Sequence, residues 1–201
     1  MKALSSFRMR DGLFFPLAGL LVVLMVFVAL QPGIGRLPTG PVAGDGVSYD
    51  RIVIDGKYLN KVIAGGDART RLLRTPENGY VLQIDAAVGA LADPPEQGPH
   101  FRLAPDIELQ FSGRRIRATV RMRPADDQGA MAAKLDYSAG RVGESGWQEF
   151  DLVPGFADYS FEYDVPVASG EQGVDYFAVR PVVPEKRRGL LVERITLERL
   201  P

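Results

Sequence analysis

The residues able to do chemistry are few. The chain has 201 residues, no Cys and one His, His100. Without Cys there is no disulfide framework, no thiolate metal site and no Cys nucleophile. A hydrolase triad needs a His to take the nucleophile's proton. His100 lies in Pro94-Pro95-Glu96-Gln97-Gly98-Pro99-His100-Phe101, which reads as a rigid polar loop with a solvated imidazole. There is no Gly-x-Ser-x-Gly elbow, and one His does not complete a zinc site. Two acid pairs have alternate spacing, Glu149 with Asp151 and Glu162 with Asp164. A two-residue strand step is about 7 Å, within the separation of glycosidase carboxylates. Alternate acids are equally ordinary on a solvated strand face, and no neighbour suggests a raised pKa. No residue is expected to be catalytic, and no metal or cofactor is expected.

Side chains suited to recognition are more numerous. Arg115, Arg117, Arg121 and Arg123 project from one side of one strand, opposite Ile116, Ala118, Val120 and Met122. Lys134 and Asp136 share a polar face opposite Leu135 and Tyr137. Trp147 has the parity of Glu149, and Tyr176 the parity of Arg180. If these faces belong to one sheet, they combine charged groups for hydroxyls with aromatic surface for the apolar side of a sugar ring. The candidate ligand-binding set is therefore Arg117, Arg121, Lys134, Asp136, Trp147, Glu149, Tyr176 and Arg180. The Arg stripe also suits an acidic polysaccharide or lipid phosphates. The competing reading is a solvated face whose Arg and carboxylate side chains pair across strands.

Strands must position these residues. Candidates are Arg51–Leu59, Val81–Val88, Ile107–Phe111, Arg115–Arg123, Ala132–Tyr137, Trp147–Val153, Tyr159–Val165, Tyr176–Val183 and Leu190–Leu200. Turn clusters separate them, among them Asp126-Asp127-Gln128-Gly129 and Ser169-Gly170. Outside one N-terminal segment, no stretch keeps helical spacing for three turns. The fold class is all-β, an antiparallel two-sheet sandwich over residues 47–201.

That exception is residues 12–31, which carry no charge. As a helix they extend about 30 Å, the thickness of a bilayer core. The run is longer than a typical signal-peptide core, and Phe27-Val28-Ala29-Leu30-Gln31 puts a bulky residue where a cleavage site wants a small one. The expectation is an uncleaved transmembrane helix with the lipid bilayer as partner. Lys2, Arg8 and Arg10 precede it in the tip, residues 1–11, and only Arg36 follows closely. The N-terminus is thus expected to be cytoplasmic and the remainder periplasmic or otherwise extracytoplasmic, on the inner membrane. Residues 32–46, with three Pro and five Gly, read as a tether. The formal net charge of −1 hides this partition: residues 45–201 hold 20 basic and 24 acidic side chains. An acidic outer domain argues against nucleic acid as a partner.

The second half also resembles a known family. Ser112-Gly113 leads into the strand Arg114–Arg123. Gly146-Trp147 opens the strand that follows, a later strand ends in Val165-Pro166, and Leu191–Leu197 closes the chain. Over about residues 80–200 this order is similar to the galactose-binding-like jelly roll of many carbohydrate-binding modules. The resemblance implies glycan binding on one concave sheet or at the loops, without catalysis. It also implies a structural calcium near the sandwich edge, but Glu193-Arg194 stands where such modules often carry paired acids. The expected function is a membrane-anchored carbohydrate-binding-like module holding a glycan or exopolysaccharide near the membrane. The alternative is a protein–protein interaction domain of an accessory subunit, with a membrane-protein partner.

Overall fold

In the computed structural model, residues 11–30, 36–44, 50–87, 94–168, 173–184, 186 and 188–201 are described. Most of the N-terminal tip, parts of the tether and the Ser169-Gly170 turn lie outside them. Two units result, Met1–Leu37 and Pro38–Pro201.

The first unit contains helix α1, Asp11–Ala29. Its large apolar side chains point outward on all sides, with Leu20 at 70% and Phe15 at 70% exposure. Apolar all round, this helix is long and apolar enough to cross a bilayer. Pro16 falls in its second turn, where the ring removes one donor.

The second unit is an antiparallel sandwich. Its first sheet has six strands: β1 (Arg51–Asp55), β2 (Arg69–Thr75), β3 (Gly79–Ala86), β5 (Arg115–Pro124), β8 (Ala157–Asp164) and β10 (Arg188–Arg199). They run in the order β2-β3-β10-β5-β8, with β1 also paired to β10. The second sheet has β4 (His100–Arg102), β6 (Ala132–Ser138), β7 (Gln148–Asp151) and β9 (Tyr176–Pro181), in the order β4-β9-β6-β7. Ile116, Ala118, Val120 and Met122 of β5 are fully buried and face Leu135, Tyr137, Phe177 and Val179 of the second sheet in one core. Phe161 stacks on Phe177 across it, with centroids 6.5 Å apart.

β10 holds the first sheet together. Its first half pairs with β3 and its second half with β1, while β5 runs along its other side. The register shifts at Glu193, between Val192 and Arg194. One extra residue reverses side-chain parity. Leu190 and Val192 face the core before the shift, and Ile195 and Leu197 face it afterwards. Uninterrupted alternation would turn one half of these out to water.

The structure corrects three sequence expectations. Ile107–Phe111 is not a strand but part of helix α2, Pro105–Phe111. Pro105 at the first position and Asp106 and Glu108 in the first turn favour a helix start. A strand would put Ile107, Leu109 and Phe111 on one face. The helix buries Ile107 and Phe111, spaced i and i+4, and leaves Leu109 exposed at 58%. Arg51–Leu59 is a strand only to Asp55, then a 3-10 turn, Gly56–Lys61. His100 is no loop residue: it starts β4, 5% exposed, with Nδ1 2.7 Å from the Gly98 carbonyl oxygen. Strand β2 is an addition to the expected strands: an edge strand rich in Arg and Thr shows weak apolar alternation. Val42, within the Pro/Gly-rich stretch, is buried, and its amide bonds the Arg102 carbonyl at 2.8 Å.

α2 also closes a polar cluster. Asp175, 1% exposed, accepts a hydrogen bond from the Tyr137 hydroxyl and lies in the field of Glu108, itself 6% exposed. Burial, aided by Glu108 and opposed by the Tyr137 hydrogen bond, pushes the Asp175 carboxyl up to about 6. A folded-state pKa above the unfolded value means that the native state holds the proton more tightly. This contribution to stability is complete below about pH 4 and is lost as pH rises through about 6. Asp175→Asn should therefore flatten that part of the stability profile and stabilise the chain above pH 7 by on the order of 1–3 kcal/mol. Urea midpoints across pH, on the full chain in detergent micelles, check this; an unchanged profile in the variant would contradict it.

Candidate functional site

Strand parity decides which candidates meet. In the second sheet Lys134 is opposite Arg180 on one side and Glu149 on the other. Asp136 is opposite Ala178, which is opposite His100, and Ser138 is opposite Tyr176. All lie on the outer face, because Leu135, Tyr137, Phe177 and Val179 face the core. Trp147, one residue before β7, keeps that parity. Its ring centroid is 4.6 Å from Lys134 Nζ and 4.4 Å from Arg180 Cζ. Six of the eight candidates, Lys134, Asp136, Trp147, Glu149, Tyr176 and Arg180, thus share one face.

Arg117 and Arg121 do not join them. They lie on β5, in the other sheet, facing away from the core. That face is a ladder of ion pairs. Arg117 Nη2 donates to Glu162 Oε1 at 2.7 Å, Arg115 Nε lies 3.0 Å from Glu162 Oε2, and Arg121 Nε donates to Glu193. The hydrogen bond from Arg117, with the charge of Arg115 beside it, holds the Glu162 carboxyl below its usual range. An acid kept ionised in this way is unsuited to protonating a glycosidic oxygen. Glu193, at the register shift, is likewise taken up by Arg121. The condition that all the polar faces form one surface is not met: alternation gives parity within a strand but not which sheet the strand joins.

The shared face is partly covered. Pro94–Gly98, including a 3-10 turn at Pro95–Gln97, lies over it. Arg180 is fully buried beneath, and its Nη2 donates to the carbonyls of Pro94 at 2.8 Å and Pro95 at 3.1 Å. Burying a guanidinium is costly unless its donors are taken up. Here two carbonyls and the Trp147 ring receive it. Asp136, 1% exposed, accepts from Ser145 Oγ at 2.8 Å; burial nonetheless raises its pKa. Lys134, Trp147 and Tyr176 are half-buried and Glu149 is exposed. These four reach the surface, whereas Arg180 and Asp136 are enclosed. At the Tyr176 end, Glu96, Ser138 and Arg141 join Tyr176 around a cavity of about 370 Å³. Ser138 was within reach of sequence reasoning, being the next outward position after Asp136. Glu96 and Arg141 stand in loops, where no periodicity marks them.

A Cβ on Gly98 would lie 2.3 Å from Arg180 Nε. The guanidinium is enclosed and has nowhere to move. Gly98→Ala should therefore displace the overlying segment, costing about 1–3 kcal/mol and shifting Trp147 emission to the red. Denaturant melts with fluorescence spectra check this; a variant with wild-type stability and emission would show that the segment is loose.

No family model matches the chain, and no curated protein matches it. Solved structures do. The arabinose-bound α-L-arabinofuranosidase MgGH51 matches with TM-score 0.51 and 9% identity, over 80% of this chain and 28% of its own. The C-terminal family 22 carbohydrate-binding module of Clostridium thermocellum Xyn10B matches with TM-score 0.47 and 16% identity, over 68% of this chain and 84% of its own. The N-terminal CBM22-1–GH10 part of the same organism's xylanase, complexed with xylohexaose, matches with TM-score 0.45 and 12% identity, over 68% of this chain. This chain spans only 26% of that one. At such identities the likeness is one of fold. Carbohydrate-binding modules stand among the solved structures similar to this sandwich.

Proposed function

We propose that this protein is a non-catalytic glycan-binding module carried on a membrane helix. The observation behind the reading is the half-buried Trp147 ring, held in place by Lys134 and Arg180 beside the exposed Glu149. A fixed aromatic face flanked by a cation and a carboxylate suits a sugar ring: its C–H side lies on the indole, and its hydroxyls reach Lys134 and Glu149. Tyr176 supplies a second aromatic surface at the far end of the same sheet face. The ligand is a glycan or exopolysaccharide close to the membrane. α1 is the anchor, uncleaved, in the inner membrane, with the basic N-terminal tip cytoplasmic and the sandwich periplasmic or extracytoplasmic. The charge difference across the helix and the length of its apolar run support this reading.

The full chain in detergent micelles, applied to a glycan array and to polysaccharide affinity gels, tests the reading. Binding should fall at least about tenfold in Trp147→Ala, the loss expected for an aromatic platform. It should be unchanged in Arg121→Ala, whose side chain belongs to the ion-pair ladder. Equal loss in both, or no binding to any glycan together with a defined membrane protein that co-purifies, would replace it with the protein–protein reading. For topology, a reporter fused after Pro201 that is active in the cytoplasm would refute the orientation.

A further inference from the structure

Both ends of the six-stranded sheet are open. Among the described residues, no strand pairs with the outer side of β2 or of β8. An open edge carries a row of unpaired backbone donors and acceptors, and charged side chains commonly guard it. Here the two edges carry opposite signs. β2 holds Arg69, Arg71 and Arg74, all exposed and none with an ion pair among the described residues. β8 holds Asp158, Glu162 and Asp164 on the face away from the core. Arg115 and Arg117 take up Glu162. Asp158 and Asp164 are 51% and 80% exposed, and their arginine neighbours are no nearer than 3.8 Å.

We infer that β8 of one copy of this chain pairs with β2 of a second copy, so that the six-stranded sheet continues from chain to chain. The four steps from β2 to β8 are all antiparallel, so the two edges run the same way and meet as parallel neighbours. One register suits both faces. With Arg71 opposite Ser160, Arg69 meets Asp158, and Arg71 lies diagonally between Asp158 and Glu162. On the core side Thr70 then meets Tyr159, Leu72 meets Phe161 and Arg74 meets Tyr163. Thr70, Leu72 and the three aromatic side chains are only half-buried in one copy, and a guanidinium over a tyrosine ring is favourable. Like edges repel: β8 against β8 sets acids beside acids, and β2 against β2 sets arginines beside arginines. A head-to-tail contact of this kind gives rows or rings of copies rather than a two-fold dimer.

The chain has no Cys, so engineered thiols report this contact alone. The test uses the full chain in excess detergent micelles, prepared with Ser160→Cys and separately with Arg71→Cys, both at exposed positions. Paired strands lie about 4.8 Å apart, within disulfide reach. Under mild oxidation the mixture should form disulfide-linked dimers at least about tenfold faster than either variant by itself. Asp158→Lys in the Ser160→Cys chain should slow the cross-link at least about tenfold, and Arg69→Glu in its partner should restore it. Equal cross-linking in the mixture and in either variant alone, as association through α1 would give, overturns the inference. So does a mixture that forms no cross-link, or a rate that Asp158→Lys leaves unchanged.

Discussion

The parity change in β10 is the constraint from which the sandwich follows. One strand must present Leu190 and Val192 to the core beside β3, and Ile195 and Leu197 to the same core beside β1. These sets have opposite parity, so the extra residue at Glu193 reconciles them. It also turns Glu193 and Arg194 towards the outer face, where they join the ion pairs of β5 and β8. The core and the charged ladder therefore depend on one irregularity.

The two outer faces solve the problem of exposed charge differently. On the six-stranded sheet, arginines and carboxylates alternate across β5, β8 and β10 and take up one another's charge in water. Such pairs contribute little individually, and they leave no β5 arginine reserved for a ligand. On the four-stranded sheet the charge is inside. Arg180 is enclosed between the Pro94–Gly98 segment and Trp147, and its burial is tolerable only because carbonyls and an aromatic face receive it. The same enclosure fixes the Trp147 ring. A ring held in this way has less freedom to lose than one free in solvent, and on the proposed reading this favours binding.

The candidate site was readable in part. Alternation placed Lys134 with Asp136 and Tyr176 with Arg180, and the parity of Trp147 carried over directly. The exclusion of Arg117 and Arg121 was not readable, because the partner sheet of β5 is chosen by long-range pairing with β8 and β10. Nor was the burial of Arg180. Its coverage comes from a segment more than eighty residues earlier, and Gly98 reveals its purpose only when Arg180 lies against it. The same holds for His100: a proline-rich context says loop, but pairing of His100 with Ala178 makes it strand. Ile107–Phe111 shows the limit of short apolar runs, in which strand and helix periodicity coincide until packing selects Ile107 with Phe111.

The sequence by itself determined the uncharged helical run, the all-β character of the remainder, the dry face of β5 and the scarcity of catalytic groups. These are properties of composition and of spacing along one strand, and short-range physics suffices for them. The tertiary structure decided which faces share a sheet, which charges are paired, which arginine is buried and which strands are left at the edges. Each depends on contacts between residues far apart in the chain, and neither a period of two nor a period of 3.6 encodes those contacts.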